Sequence, residues 1–258
     1  MLRIAIVSGL LVASTLGPAS AQVPTPVYVV LGDSIEFGLG DDVLADGFGY
    51  VPLVANFLMM TVFGQSVEVH NFGEPFARTH EIWRDQLPDV LAAAGGHAPI
   101  VVSWGGGGND LAEVATGPQA AACRQSQSCL GRFNGLLNEI EQRIDHTIRR
   151  LRDVLGGDAV ILMRTQYNAL LRTGCAPSPE AAALAAVTLE GLDGSVLDRG
   201  LNDRIRAIAA KYGARVVDLY IPFALSPNTL VSTDCIHPSG AGYQAIATLA
   251  GATVLAGP

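Results

Sequence analysis

Short runs of β-branched and other apolar residues alternate along this chain with longer segments of helical periodicity. Such runs, bounded by Gly, Pro and polar residues, predict strands that are buried on both faces. Their alternation with helical segments is typical of βαβ units in a parallel sheet. The sequence therefore predicts an α/β fold, a three-layer α/β/α sandwich around a central five-stranded parallel sheet. The predicted strands are 27–31, 66–71, 99–103, 159–164 and 214–218.

Helical segments are predicted between and after these strands. The clearest is 132–155, where apolar residues recur every three or four positions while Arg and Glu fill the other face. We interpret its apolar stripe as part of the core. The other predicted helices are 52–62, 79–94, 180–190, 197–212 and 239–255.

The first residues follow the pattern of a secretory leader. Arg3 precedes an apolar stretch that ends at Gly17-Pro18, and a small-residue cleavage site follows at 19–21. The apolar stretch is shorter than the roughly 20 residues that a bilayer span needs. We therefore expect cleavage of residues 1–21 and a secreted or periplasmic protein. Residues 22–258 are expected to form a single domain, a monomer without an integral membrane segment.

Composition argues against two classes of partner. The formal net charge is −8, and the basic residues are scattered, with Lys211 the only lysine. Nucleic acid requires a positive surface, so it is not an expected partner. The glycine run 105–108 is followed by Asp110 where a dinucleotide fingerprint needs glycine, and the chain contains no Gly-Lys-Ser/Thr. Nucleotide binding is therefore disfavoured.

Polar residues suited to catalysis follow the predicted strands. Because ligands of open parallel sheets bind outside the carboxyl ends of the strands, residues at these positions are expected to meet at one edge. In chain order they are Ser34, Asn71, Gly105–Asn109, Tyr167, Asn168, Asp234 and His237.

Ser34, His237 and Asp234 supply the parts of a nucleophilic triad. A serine hydroxyl is a poor nucleophile until a base takes its proton, and that base works best when a carboxylate fixes its tautomer. The amide of Asn109 suits a developing oxyanion. An α/β-hydrolase would share this order of residues, but Glu36 stands where its nucleophile elbow needs a glycine. The sequence therefore predicts a serine hydrolase of another kind.

In this order and spacing the motifs resemble those of the SGNH hydrolases, the GDSL esterase and lipase family. The resemblance spans nearly all of the chain after the leader. It implies an SGNH or flavodoxin-like fold and a serine esterase or lipase that needs no cofactor and no metal. Its substrate would be a small-molecule, lipid or glycan ester. The matching blocks are Leu31-Gly32-Asp33-Ser34, Asn71-Phe72-Gly73, Gly107-Gly108-Asn109-Asp110 and Asp234-Cys235-Ile236-His237-Pro238.

The resemblance also implies a role for each residue of the site. Ser34 would be the nucleophile, His237 the general base and then acid, and Asp234 the residue that orients His237. The backbone N–H of Ser34 and the side-chain amide of Asn109 would be two donors of the oxyanion hole. Asp33 is interpreted as a turn residue, and Asp110 as structural.

The third oxyanion donor is where this chain departs from the family pattern. The family usually places a glycine five residues after its asparagine, and here that position is Phe76. Any residue except proline keeps a backbone N–H, so Phe76 can still donate, and Gly73 is the alternative donor. Gly108, Tyr167 and Asn168 are candidates to line the substrate pocket. For Tyr167 and Asn168 a plain loop role is an equally open interpretation.

The four cysteines form an even set in a chain expected to reach an oxidising compartment, so two disulfides are predicted. Of the three possible pairings we favour Cys123–Cys129 and Cys175–Cys235. A metal site on the segment 234–237 is disfavoured, because adjacent side chains rarely converge on one ion and no Cys-x-x-Cys pair is present.

The substrate is not defined by these motifs. A carbohydrate acetylesterase or a thioesterase would use the same residues as a carboxylic esterase. A secreted binding protein that kept the fold but lost catalysis is a further alternative. The complete triad argues against it, and the unusual second block keeps it open.

Overall fold

The computed structural model describes residues 24–40, 49–96, 99–115, 123 and 125–256, so the predicted leader 1–21 lies outside the described residues. Five strands form one sheet in the order β2-β1-β3-β4-β5, and every neighbouring pair is parallel. The predicted α/β fold with a five-stranded parallel sheet is confirmed. The strands are β1 Val27–Leu31, β2 Glu68–Asn71, β3 Ile100–Trp104, β4 Val160–Arg164 and β5 Arg215–Val217.

The register aligns the carboxyl ends of the strands. Val30 of β1 pairs with Asn71 of β2 and with Ser103 of β3. Arg164 of β4 pairs with Val217 of β5. The loops that leave these strands therefore begin at one edge of the sheet, where the sequence predicts the site.

Helices cover both faces of the sheet. A π-helical segment, Leu58–Phe63, continues α2, and another, Ile82–Gln86, joins α3 to α4. A short 3-10 helix spans Ala169–Leu171. The α-helices are α1 Ser34–Phe37, α2 Val51–Phe57, α3 Thr79–Glu81, α4 Leu87–Ala94, α5 Gly108–Ala115, α6 Gln127–Leu155, α7 Pro179–Glu190, α8 Leu201–Tyr212, α9 Tyr220–Leu225, α10 Pro227–Leu230 and α11 Gly240–Leu255.

Two apolar clusters, one on each face, make up the core. Val27, Val29 and Leu31 of β1 pack with α4, α6, α7 and α8. Tyr28 and Val30 of the same strand pack with α2 and α11. Alternate residues of a strand point to opposite faces, and both faces are covered at β1, which explains why its sequence is apolar throughout.

Local capping sets the helix boundaries that periodicity alone places differently. Helix α6 begins before the predicted 132, because the Cys129 N–H donates to Ser126 Oγ at 3.3 Å. Helix α8 begins after the predicted 197, at its N-cap Gly200, where an added Cβ would lie 2.3 Å from the Leu189 backbone. None of the helices in the described part of the chain has both the length and the apolar character needed to cross a bilayer.

Candidate active site

Ser34 is the first residue of α1, directly after β1. The turn before it is tight, since a Cβ on Gly32 would lie 2.5 Å from the Gly105 carbonyl oxygen. Asp33 caps the helix by accepting the Ile35 N–H at 3.0 Å, and its own N–H donates to Glu36 Oε2 at 3.1 Å. This capping box fixes the direction in which α1 leaves the sheet, and with it the position of Ser34.

Two hydrogen bonds with the side chain of Gln86 also hold the backbone of Gly32. The Gly32 N–H donates to Gln86 Oε1 at 2.8 Å, and Gln86 Nε2 donates to the Gly32 carbonyl at 2.9 Å. Gln86 is buried, at the end of the π-helical segment before α4. Sequence reasoning missed this residue, because a glutamine within a helical pattern gives no sign of a partner 54 positions away.

Asp234 and His237 lie in the loop between α10 and α11. Asp234 Oδ1 accepts the backbone N–H groups of Ile236 and His237, each at 2.9 Å. Its other oxygen, Oδ2, lies 2.5 Å from His237 Nδ1. His237 Nε2 then lies 2.9 Å from Ser34 Oγ. A continuous chain of hydrogen bonds thus runs from Asp234 through His237 to Ser34, as the sequence predicts.

The charge of Asp234 determines how this chain is polarised. Partial burial raises its pKa, but the His237 backbone N–H, the His237 ring and the Ile236 N–H outweigh burial, and the pKa of Asp234 falls below its usual 3.8. An ionised Asp234 accepts a proton-bearing Nδ1, which assigns the lone pair of His237 to Nε2. That lone pair faces the Ser34 hydroxyl and can accept its proton.

Asn109 lies in the first turn of α5, where its side chain is tied to the loop after β2. Asn109 Nδ2 donates one hydrogen to the Ala77 carbonyl at 3.0 Å. Asp110 holds the same two elements together by accepting both the N–H and the hydroxyl of Thr79, at 2.9 and 2.7 Å. These contacts agree with the structural role predicted for Asp110. A primary amide carries two hydrogens, and among the described residues Asn109 Nδ2 donates only to the Ala77 carbonyl, so the second hydrogen can serve a ligand.

The two candidates for the third oxyanion donor differ in their contacts. The Gly73 N–H donates to Asn71 Oδ1 at 3.0 Å, so it is already engaged. Among the described residues no acceptor bonds the Phe76 N–H. Phe76 also has a φ of 65°, the left-handed conformation that glycine adopts readily. Phe76 thus keeps the backbone conformation that suits the glycine usual at this position, and it is the better candidate.

A buried cluster of charged side chains lies next to Ser34. It consists of Asp33, Glu36 and Arg164. Arg164 ends β4, and its Nε lies 2.5 Å from Glu36 Oε1. Its Nη2 donates to Glu36 Oε2 and to Asp33 Oδ1, each at 2.8 Å. All three side chains are buried, and Tyr50 adds a hydroxyl bond to Glu36 at 3.2 Å.

The cluster contains two carboxyl groups and only one guanidinium to neutralise them. Burial raises the pKa of Glu36 from 4.5 to about 7, although the Arg164 charge opposes the shift, and Asp33 adds to it. From the sequence, Glu36 served only to argue against an α/β-hydrolase, and its contact with Arg164 was not predicted. Its spacing of three from Asp33 is the capping-box spacing and gave a usable signal, whereas Arg164 gave none.

Comparison with known proteins agrees with this geometry. The model of the GDSL-like lipase/acylhydrolase family matches residues 30–245. The chain belongs to this family. No curated protein sequence gives a significant match.

Solved structures support the fold of this GDSL-family chain. It is similar to a lipase from a goat rumen metagenome, with a TM-score of 0.68 and 20% identity over 89% of this chain and 97% of the other. It is also similar to an acetylxylan esterase from Geobacillus stearothermophilus, with a TM-score of 0.59 and 18% identity over 90% and 94%. At these identities the likeness extends to the fold alone.

In this member of the family, two of the candidates to line the substrate pocket are buried and bonded to neighbouring loops. Tyr167 is buried, stacks on Phe223 at 4.2 Å between ring centroids, and donates its hydroxyl to the Ile236 carbonyl at 2.6 Å. Asn168 is buried too, and its side chain bonds the Leu170 N–H and the Ala182 carbonyl. These contacts favour the loop role for both residues.

Gly108, the other lining candidate, is partly exposed, and a Cβ there would lie 3.1 Å from Gln166 Oε1. A side chain at this position would require Gln166 to shift by a few tenths of an ångström, and Gly108 itself offers only its backbone for substrate contact.

The cysteines pair as the favoured scheme has them. Cys123 bonds Cys129, and Cys175 bonds Cys235, each with a Cα–Cα distance of 5.2 Å. Cys235 lies between the two triad residues of its loop and has a φ of 65°. The second disulfide therefore ties the Asp234–His237 loop to the segment after β4. Within the described residues no cluster of His, Cys, Asp and Glu is arranged to bind a metal ion.

Proposed function

We propose that this protein is a serine hydrolase that cleaves carboxylic esters through an acyl-enzyme on Ser34. The observation that carries the proposal is the chain of contacts from Asp234 Oδ2 to His237 Nδ1, at 2.5 Å, and from His237 Nε2 to Ser34 Oγ, at 2.9 Å. Nucleophile, base and orienting carboxylate have the connectivity that acyl transfer needs. Membership of the lipase/acylhydrolase family supports the same reaction class.

In the first half-reaction His237 Nε2 takes the Ser34 proton as Oγ attacks the ester carbonyl. The carbonyl oxygen becomes an oxyanion, to which the N–H groups of Ser34 and Phe76 and the Asn109 amide donate. His237 then gives its proton to the leaving alcohol oxygen, and the acyl group stays on Ser34. Water repeats the sequence with His237 as base and releases the acid. Asp234 stays ionised throughout and stabilises the imidazolium.

We also propose the location, the domain organisation and the alternative substrates of the protein. Export, with cleavage after residue 21, is supported by two disulfides, which persist in oxidising compartments. We propose one domain over residues 22–258, acting as a monomer. A similar structure is that of an acetylxylan esterase, so a glycan acetyl ester is the alternative substrate, and a thioester is a second one.

Active-site labelling tests the proposal. A fluorophosphonate reacts with an activated serine and stays bound to it, so peptide mapping should locate a single adduct on Ser34. Ser34→Ala should not be labelled, and His237→Ala should be labelled far more slowly. Labelling of another serine in wild type, or equal labelling of the His237 variant, would overturn the mechanism. A folded wild type that is neither labelled nor active on any ester would favour the binding-protein alternative.

A further inference from the structure

Phe76 has an unusual backbone conformation for its residue type. Among the described residues, Phe76 and Cys235 alone have a positive φ without being glycine, both at 65°. Cys235 is fixed by its disulfide. For a bulky L-residue the left-handed region is strained, because Cβ comes too close to the following carbonyl oxygen. The chain therefore keeps a strained phenylalanine at a position where glycine would be free of strain.

Packing does not compensate for this strain. The Phe76 side chain is 78% exposed. A phenylalanine side chain stabilises a fold when its ring is buried, and a ring this exposed contributes little. Strained residues persist mainly at functional sites, where a ligand can use the group that the strain presents. The exposed ring of Phe76 is such a group.

The surroundings place this ring at the site. The neighbouring Ala77 carbonyl accepts the Asn109 amide at 3.0 Å, so the loop that carries Phe76 is joined directly to the oxyanion hole. The same loop packs on α1, since a Cβ on Gly73 would lie 2.7 Å from the Phe37 backbone nitrogen. Phe37, three residues after Ser34, is 43% exposed. Two exposed aromatic rings thus belong to the two segments that frame the nucleophile.

The chemistry of the reaction determines which half of the ester these rings face. His237 gives its proton to the alcohol oxygen, so the alcohol must leave on the His237 side. The acyl half stays bonded to Ser34 Oγ. Phe37 belongs to the helix that begins at Ser34, and the loop that carries Phe76 is bonded to Asn109, so both rings belong to the segments that hold the acyl half. Both rings are uncharged and apolar, and they complement an aliphatic chain.

We propose that Phe76, together with Phe37, forms the acyl-binding surface, and that the enzyme prefers esters whose acyl chain is longer than acetyl. The inference rests on the proposed ester hydrolysis. An acetyl group is too short to cover the Phe76 ring, whereas a chain of several methylenes removes apolar area on both partners from water.

The test compares kcat/KM for p-nitrophenyl acetate, butyrate and octanoate, which share one alcohol. Phe76 also supplies an oxyanion N–H, which Phe76→Gly keeps, so each variant is read as the ratio of octanoate to acetate kcat/KM. In Phe76→Gly this ratio should fall roughly tenfold, mostly through KM for octanoate, since each buried methylene contributes. Phe76→Leu should retain most of the octanoate activity. Met60→Ala, an equally exposed apolar residue in the π-helical continuation of α2, is the control and should leave the acyl profile unchanged.

A fall of equal size for all three esters in Phe76→Gly would overturn the proposal, because it would point to the backbone of the oxyanion hole. A wild type that hydrolyses acetylated xylooligosaccharide faster than any longer acyl ester would also overturn it. If Ser34→Ala kept its activity, the proposed mechanism would fail instead. If activity depended on Ser34 but the acyl profile did not depend on Phe76, this inference alone would fail.

Discussion

Arg164 Nε lies 2.5 Å from Glu36 Oε1 in the interior of the protein, and Glu36 is two residues from Ser34 in the same short helix. The guanidinium also bonds Asp33, on the other side of the nucleophile. A side chain from the end of β4 thus holds both residues that flank the serine turn. Removing one member of a buried ion pair typically costs about 3–5 kcal/mol, because the other charge is left buried without a partner. The cluster therefore restricts the position of the serine turn.

The first prediction concerns the pH dependence of stability. Glu36 has a pKa raised from 4.5 to about 7 by burial, so the folded protein holds a proton that the unfolded chain releases between these values. The stability that protonated Glu36 contributes is complete below pH 4.5 and is lost as the pH rises through 7. Glu36→Gln cannot lose this proton. Relative to wild type, its melting temperature should therefore rise progressively from pH 4.5 to pH 8.

Thermal unfolding at several pH values measures this difference. Glu139→Gln is the matched control, because Glu139 is an exposed carboxylate on α6 with an i,i+4 ion pair to Arg143. Its melting temperature should follow wild type across the range. A constant difference between Glu36→Gln and wild type from pH 4.5 to 8 would show that Glu36 does not titrate there.

Asn109→Ala should slow ester turnover by about 10²–10³-fold with little change in KM, because the amide bonds the oxyanion mainly in the transition state. Steady-state kinetics on a p-nitrophenyl ester measures both constants. Asn109→Asp, which keeps the size but loses the donor, should be as slow. A large rise in KM at unchanged kcat would assign Asn109 to substrate binding instead.

Tyr167→Phe tests whether Tyr167 supports the loop or lines the pocket. The variant keeps the stacking on Phe223 but loses the bond to the Ile236 carbonyl, so it should lose about 1 kcal/mol of stability and several-fold in kcat at unchanged KM. Tyr212→Phe is the control, because the Tyr212 hydroxyl donates to Asp145 at 3.0 Å. This variant should lose a similar amount of stability and keep a normal kcat. A change in Tyr167→Phe confined to KM would favour substrate contact.

The disulfides should differ in their effect on activity. Cys175–Cys235 closes a loop of 60 residues and ties down the Asp234–His237 segment, so its removal by paired Ser substitutions should cost about 4 kcal/mol and lower kcat. Cys123–Cys129 closes a loop of only 6 residues and should cost about 2 kcal/mol without loss of kcat. Denaturant unfolding and kinetics check both. Equal activity of the two double variants would mean that the second disulfide does not hold the triad.

Strands and motifs were predictable because they depend on local pattern. The run Val27–Leu31 is apolar throughout, because a parallel strand buried on both faces needs apolar side chains on both faces. The motif residues follow strand ends, so their meeting at one edge follows from topology. Contacts made by single polar side chains at long range were not predictable. Gln86 bonds Gly32, and Arg164 bonds Glu36, across 54 and 128 positions, and nothing in the local sequence marks these pairs.

The central claim is that Ser34, activated by His237 and Asp234, is the nucleophile. The most direct measurement is kcat/KM on a p-nitrophenyl ester for wild type and for Ser34→Ala, with circular dichroism to verify the fold of both. The account predicts a loss of roughly 10⁴-fold or more in a variant that remains folded. A folded Ser34→Ala enzyme with near-normal turnover would contradict it.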